Sequence, residues 1–210
     1  MFAIAPKKER MSSGPPKAEN WLHLMTPSLE TITTHAGQYL GNVRRLHPRA
    51  KLAVSFDIDD TILRENPKRQ TVIKVMQNLY ATARKLNYAV FFITARRNTP
   101  ENMANTKKQL QRTGFGDYTD LFLMPSELRD KGLFCEFKYL MRHKIEQDGY
   151  QIVLNVGDSW HDLLVHPEKS THPHCKSMYK ILKRLPPDNY ILFSAPDTAW
   201  LSLKMVAQED

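Results

Sequence analysis

The chain has 210 residues, enough for one sizeable domain and too few for two ordinary ones with a linker. Its composition, 41% hydrophobic and 25% charged, is expected of a soluble globular protein rather than a disordered or membrane one, and its longest apolar runs fall far short of the roughly 20 residues of a membrane-spanning helix. The formal net charge of +8 favours polyanionic or phosphorylated partners and says nothing about fold.

Residues 1 to 19, rich in Pro, Lys and Ser, carry too little apolar surface to fold alone and read as a flexible basic tail; residues 20 to 210 read as the folded domain. Lys7, Lys8, Glu9 and Arg10 come before any adequate hydrophobic segment, the reverse of a secretory signal. With Cys135 and Cys175 the only cysteines, no disulfide framework is implied, and an intracellular, cytoplasmic setting is expected.

From Pro27 to Arg45 the apolar residues Leu29, Ile32, Ala36, Tyr39, Leu40 and Val43 recur at helical spacing, with Thr26 as a candidate N-cap. Five short apolar segments then predict buried strands: Leu52 to Phe56, Ala89 to Thr94, Asp120 to Met124, Ile152 to Val156 and Tyr190 to Ser194. Helical patterns separate them at about 70–86, 101–113, 132–148 and 176–185, and a terminal helix is expected near 198–206. This alternation predicts an α/β fold, a five-stranded, mainly parallel sheet with helices on both faces and function at the carboxyl ends of its strands.

The first strand ends in Phe56-Asp57-Ile-Asp59-Asp60-Thr61, three carboxylates at one strand end. Like charges packed together raise one another's pKa, so such a cluster persists by holding a cation or handling protons; the bland alternative is a capping turn. A second acidic pair, Asp158 and Asp162, follows the fourth strand after Gly157, which permits a sharp turn. Two acidic strand ends imply one site, and carboxylate oxygens without competing His or Cys ligands suit Mg2+. Thr94 closes the second strand, where its hydroxyl and the backbone amides that follow, at Ala95 and Arg96, can bind phosphate oxygens. Lys138 lies on the helix before the fourth strand, where an ammonium can neutralise a phosphoryl group; a lone helix lysine is ordinarily solvated.

In this order the elements resemble the motifs of the haloacid dehalogenase (HAD) superfamily: strand-D-x-D-x-T, strand-Thr, a helix lysine and G-D-x-x-x-D. Phe56 to Thr61, Phe137-Lys138 and Asn155-Val-Gly-Asp158-Ser-Trp160-His-Asp162-Leu163 are similar to the class B acid phosphatase branch, which includes plant vegetative storage proteins. The resemblance, over residues 20 to 205, implies a three-layer Rossmann-like HAD fold and a magnesium-dependent phosphomonoester hydrolase. It implies that Asp57 attacks phosphorus, that Asp59 protonates the leaving oxygen and later activates water, and that Thr94 and Lys138 hold the phosphoryl group. Mg2+ is implied at Asp57, the main-chain carbonyl of Asp59 and Asp158, with Asp162 nearby, and Asp60 is left as a turn residue. About 33 residues separate Thr61 from Thr94, too few for a large cap domain, so an open site is expected.

The expected partner is a phosphorylated substrate, a small molecule or nucleotide, with a nucleic-acid end allowed by the open site and the positive charge. Basic pairs such as Lys107 and Lys108 are the ordinary pattern of a solvated helix face. Histidines 161, 166, 172 and 174 with Cys175 match no standard zinc spacing and read as a His-rich loop beside the site. The rival reading is a catalytically idle storage, structural or interaction protein on the same fold. A response-regulator receiver fits the D-x-D-D-T run and the late Gly-Asp-Ser-Trp-His-Asp turn poorly.

Overall fold

The structure is a computed structural model that describes residues 29–64, 71–159, 162, 190–195 and 198–204. The chain runs α1 (Leu29–Leu46), β1 (Leu52–Phe56), β2 (Leu63–Arg64), β3 (Thr71–Val72), α2 (Lys74–Lys85), β4 (Ala89–Arg97), α3 (Pro100–Arg112), β5 (Asp120–Met124), α4 (Ser126–Asp130), α5 (Phe134–Gln147), β6 (Gln151–Gly157), β7 (Tyr190–Ala195) and β8 (Thr198–Lys204). Among the described residues the main sheet has the order β5-β4-β1-β6-β7-β8. The first four of these strands pair in parallel, whereas β7 lies antiparallel to β6 and β8 antiparallel to β7.

Strand periodicity divides the interior in two. Leu52, Val54 and Phe56 of β1, with Val90 and Phe92 of β4, pack against Ile32, Ala36 and Leu40 of α1 and Met76 and Leu79 of α2. Ala53 of β1, with Phe91 and Ile93 of β4, points the other way and packs with Phe137 and Ile145 of α5. Both faces are therefore covered, which is why these strands read as continuous apolar runs rather than alternating ones. Arg44 fastens α1 to the sheet: its guanidinium donates to the carbonyls of Leu86, Asn87 and Ala50 and lies 4.7 Å over the Tyr88 ring.

The chain builds outward from β1 to β4 and β5, then returns through α5 to place β6 on the other side of β1. The strand order therefore reverses between β1 and β6, and the carboxyl ends of strands at such a reversal are where open α/β sheets bind ligands. Asp57 follows β1 at this point, and its N–H donates to the Val156 carbonyl at 2.9 Å.

Several expectations are corrected. Residues 198–204 form strand β8, not a terminal helix, so the sheet has a sixth strand. Their sequence alternates Ala199, Leu201 and Leu203 with Thr198, Trp200, Ser202 and Lys204, a period of two, and β7 ends only two residues earlier as the antiparallel partner. The helix expected from residue 70 begins at Lys74, because Thr71 and Val72, both β-branched, pair with Arg64 and Leu63 in a short antiparallel ribbon. Helix α4 had no counterpart in the sequence reading. The tail 1–19, Thr26, Trp160, the His-rich segment apart from Asp162, and the helix expected at 176–185 lie outside the described residues. Among the described residues only the β2–β3 ribbon stands between β1 and α2, and no helix is long and apolar enough to cross a membrane.

Candidate active site

Asp57 is 7% exposed and shares the odd-numbered phase of Ala53 and Ser55, the side of the sheet that α5 covers. Lys138, on α5 next to the core residue Phe137, is 2% exposed and donates to Asp57 Oδ1 at 2.7 Å. Its ammonium also bonds Asp162 Oδ1. The Lys138 helix thus positions the cation from the face towards which Asp57 projects. Four residues further along the same helix, one turn away, the buried Arg142 donates to the Asp162 carbonyl at 2.7 Å.

The second acidic strand end closes on the first. One oxygen from each of Asp57, Asp158 and Asp162 lies within 4.8 Å of the others. Thr61 bridges them weakly, its hydroxyl 3.5 Å from Asp57 Oδ2 and 3.4 Å from Asp158 Oδ1. Asp162 is fixed at its other oxygen by the Ser159 N–H at 2.9 Å. Gly157 makes this turn possible, since a Cβ there would run into the Asp162 side chain. Below the site, Ser55 donates to Asn155 Oδ1 across the β1–β6 pair, satisfying two buried polar side chains.

Three carboxylates and one ammonium carry a net charge of −2 when all are ionised. Burial, together with the neighbouring Asp162 charge and opposed by Lys138, pushes Asp57 up to about 7. Burial and the charges of Asp162 and Asp57 push Asp158 up to about 8. Burial works against the Lys138 ammonium, but Asp162 and Asp57 outweigh it and hold its pKa above the ordinary lysine range. The carboxyls therefore resist ionising together, and the donor set, three hard carboxylates offset by a single ammonium, fits a divalent cation.

Asp59 stands apart from this cluster. Its carboxylate is gripped by Arg96, with Nε to Oδ2 at 2.9 Å and Nη2 to Oδ1 at 2.6 Å. Arg96 is braced in turn by Thr106 and Gln109 of α3. A register shift between β4 and β5 after Thr94 pushes Ala95 and Arg96 out of the ladder, which frees Arg96 to reach across. Thr94 itself is fully buried, its hydroxyl accepting from the Arg96 N–H at 3.3 Å. Asp60 takes a left-handed conformation, φ 54°, and its N–H returns to the Leu63 carbonyl at 2.7 Å, so it serves the turn. Asp59, Ala95 and Arg96 line a cleft of about 780 Å3 that also touches α3, Arg129 and Phe134.

Sequence reasoning placed Asp57, Asp59, Lys138, Asp158 and Asp162 at one site; the structure brings Asp57, Lys138, Asp158 and Asp162 together, while the Asp59 carboxylate turns to Arg96 instead. Thr94, Ala95 and Arg96 do lie at the neighbouring strand end, but Arg96 is engaged with Asp59. Ser55, Asn155 and Arg142 were missed. The signals existed: a polar residue within each of two apolar strands, and an arginine at i+4 from the helix lysine.

A model of the HAD superfamily, subfamily IIIB (acid phosphatase), matches residues 65–191. The chain belongs to this family. Acid phosphatase 1 of Solanum lycopersicum is 34% identical over 159 residues, a match covering 65% of this chain and 61% of that protein, so the chain spans less than two thirds of the length of this relative. Two structures of the class C acid phosphatase from Bacillus anthracis share the fold. The one with tungstate bound has a TM-score of 0.52 at 13% identity, covering 81% of this chain and 79% of that one. The other has a TM-score of 0.51 at 14% identity, covering 79% and 78%.

Two outcomes follow from the packing at the acidic turn. Gly157→Ala should displace Asp162, destabilise the protein by about 1–3 kcal/mol and weaken divalent-cation binding, as measured by thermal melting and calorimetric titration. Because Asp158 holds its proton more tightly folded than unfolded, its favourable contribution is complete below its ordinary pKa of 3.8 and is lost as pH rises towards about 8. In metal-free protein, Asp158→Asn should therefore gain stability relative to wild type across that window, by on the order of 1–3 kcal/mol. Denaturant melts at stepped pH check it, and an unchanging difference would refute it.

Proposed function

We propose that the chain is a phosphomonoester hydrolase that works through an aspartyl-phosphate on Asp57, with Mg2+ as its cofactor. The observation that carries the reading is the buried Asp57 carboxylate at the carboxyl end of β1, held by Lys138 and flanked by Asp158 and Asp162. Family membership supports phosphate-ester chemistry. Tungstate, a tetrahedral oxyanion, is bound by the Bacillus anthracis neighbour, which fits a phosphoryl-sized site on this fold.

In the first step an Asp57 oxygen forms a bond to phosphorus while the bond from phosphorus to the leaving oxygen breaks, and Asp59, released from Arg96 and carrying a proton taken from water, gives that proton to the leaving oxygen. In the second, Asp59 takes a proton from water, the water oxygen bonds to phosphorus, and the phosphorus–Asp57 bond breaks to release inorganic phosphate. Lys138 offsets charge on Asp57 and on the transferring group, and the N–H groups following Thr94 offer donors to phosphoryl oxygens. Asp57 and Asp158, with the main-chain carbonyl of Asp59, would hold Mg2+, while Asp162 chiefly orients Lys138. Bound there, the cation would neutralise the clustered carboxylates and offset charge on the phosphoryl oxygens. Asp59 must exchange its contact with Arg96 for the leaving oxygen, so opening of that ion pair accompanies substrate entry. Phosphorylated small molecules are the proposed substrates.

Magnesium-dependent phosphate release from an aryl phosphate tests this reading, because a good leaving group needs little specific binding. Asp57→Asn should lower turnover by about a thousandfold or more while leaving the fold intact by circular dichroism; a variant that keeps wild-type turnover refutes the covalent route. Excess magnesium should partly restore Asp158→Asn, which loses a charged ligand, but not Asp59→Asn, which loses a proton carrier. Identical responses of the two variants in a magnesium titration would contradict these roles.

A further inference from the structure

The general acid must lie within hydrogen-bond reach of the leaving oxygen. On the phosphatase reading above, on which this inference rests, the remainder of the leaving group therefore enters the cleft that Asp59 lines. That cleft, at about 780 Å3, falls in the ordinary range for a small organic ligand, roughly 300–1,000 Å3. Among the described residues, its charged walls are Asp59 and three guanidinium groups, Arg96, Arg97 and Arg129. Before substrate enters, two of these are committed: Arg96 to Asp59 in a two-point ion pair and to Thr106 and Gln109 of α3, and Arg97 to Asp130 at the rim; the α3 contacts of Arg96 do not depend on Asp59 and still hold it when Asp59 turns to the leaving oxygen.

Arg129 differs from both. Among the described residues no carboxylate lies at ion-pair distance from it, and Asp130, the carboxylate whose pKa it helps to lower, is bonded to Arg97. One Arg129 N–H bonds the Ala95 carbonyl and its guanidinium sits 6.0 Å from the Phe134 ring centroid, contacts that orient the group and leave further N–H donors. Ala95 immediately precedes Arg96, so Arg129 is tied to the same strand end as the arginine that holds Asp59. An oriented guanidinium with charge in excess, in the cleft that receives the leaving group, is a receptor for an oxyanion.

We propose that Arg129 is a specificity-determining residue that binds a second anionic group on the leaving portion of the substrate, so that the preferred substrates are phosphomonoesters whose alcohol carries a further carboxylate or phosphate. Such a group gains a charge-assisted contact at Arg129, whereas a neutral leaving group leaves the guanidinium as it stands.

The test uses the full chain with magnesium and a short alkyl phosphate, compared with two analogues of equal length ending in a carboxylate or in a second phosphate. The anionic ends should raise kcat/KM by about tenfold or more through KM, and the analogue with the larger gain identifies which oxyanion is recognised. Arg129→Gln should erase that gain while lowering turnover of the neutral-ended substrate by a far smaller factor, and Arg129→Lys should keep part of it. Equal kcat/KM for neutral and anionic ends in the wild type overturns the inference whatever the variants do, as does a gain that survives Arg129→Gln in folded protein. Hydrolysis of all three without preference would leave the phosphatase reading standing; failure to hydrolyse any of them would overturn both.

Discussion

The buried ammonium of Lys138, held between Asp57 and Asp162, is the interaction on which the rest of the site depends. An isolated charge at that depth would be strongly disfavoured, and an ion pair there is tolerated only when its remaining bonds are made. Here the partners are themselves anchored: Asp162 by the Ser159 N–H and, through its carbonyl, by Arg142; Asp57 by its own N–H on β6. One ammonium is still too little for three carboxylates, as the upward shifts of Asp57 and Asp158 record. The cluster therefore carries an electrostatic deficit that a bound divalent cation would remove.

The sheet makes this arrangement possible by placing β1 in its interior, with β4 and β6 on either side. Strand periodicity sends Ala53 and Ser55 towards α5 and their neighbours towards α1 and α2, so the first residue past the strand continues the α5-facing phase and meets Lys138. A slip of one residue in β1 would put Asp57 on the face away from Lys138. The Ser55–Asn155 bond helps oppose such a slip, because each buried polar group needs the other in register.

What was legible in the sequence was what local pattern determines. Apolar runs of strand length located β1, β5 and most of β4 and β6, since residues buried on both faces leave an unbroken apolar signature. Carboxylates crowded at strand ends announced the cluster, because that placement has few other physical reasons to exist. The remainder depended on contacts remote in sequence. Residues 198–204 carry a mixed pattern that a neighbouring strand settles as β8. The β2–β3 ribbon is only two residues wide on each side, below the length at which alternation can be read. The grip of Arg96 on Asp59 spans 37 positions and requires the irregularity after Thr94, which no composition signal marks.

That grip divides the site into two regions with different tolerances. In the first, Asp57, Lys138 and Asp162 are buried and Asp158 half-buried, and their mutual bonds over-determine a geometry set by the fold before any ligand arrives. Asp59 and Arg96 are partly exposed and belong to the cleft, where each is stabilised by the other and by α3. On the mechanism proposed above, a phosphoryl group entering the first region would present its leaving oxygen to Asp59 and so disturb the ion pair of the second. Chemistry and leaving-group recognition would then meet at a single carboxylate. Changes in the cleft can then alter which alcohol is accepted while the buried cluster, tied to the sheet and α5, keeps its form.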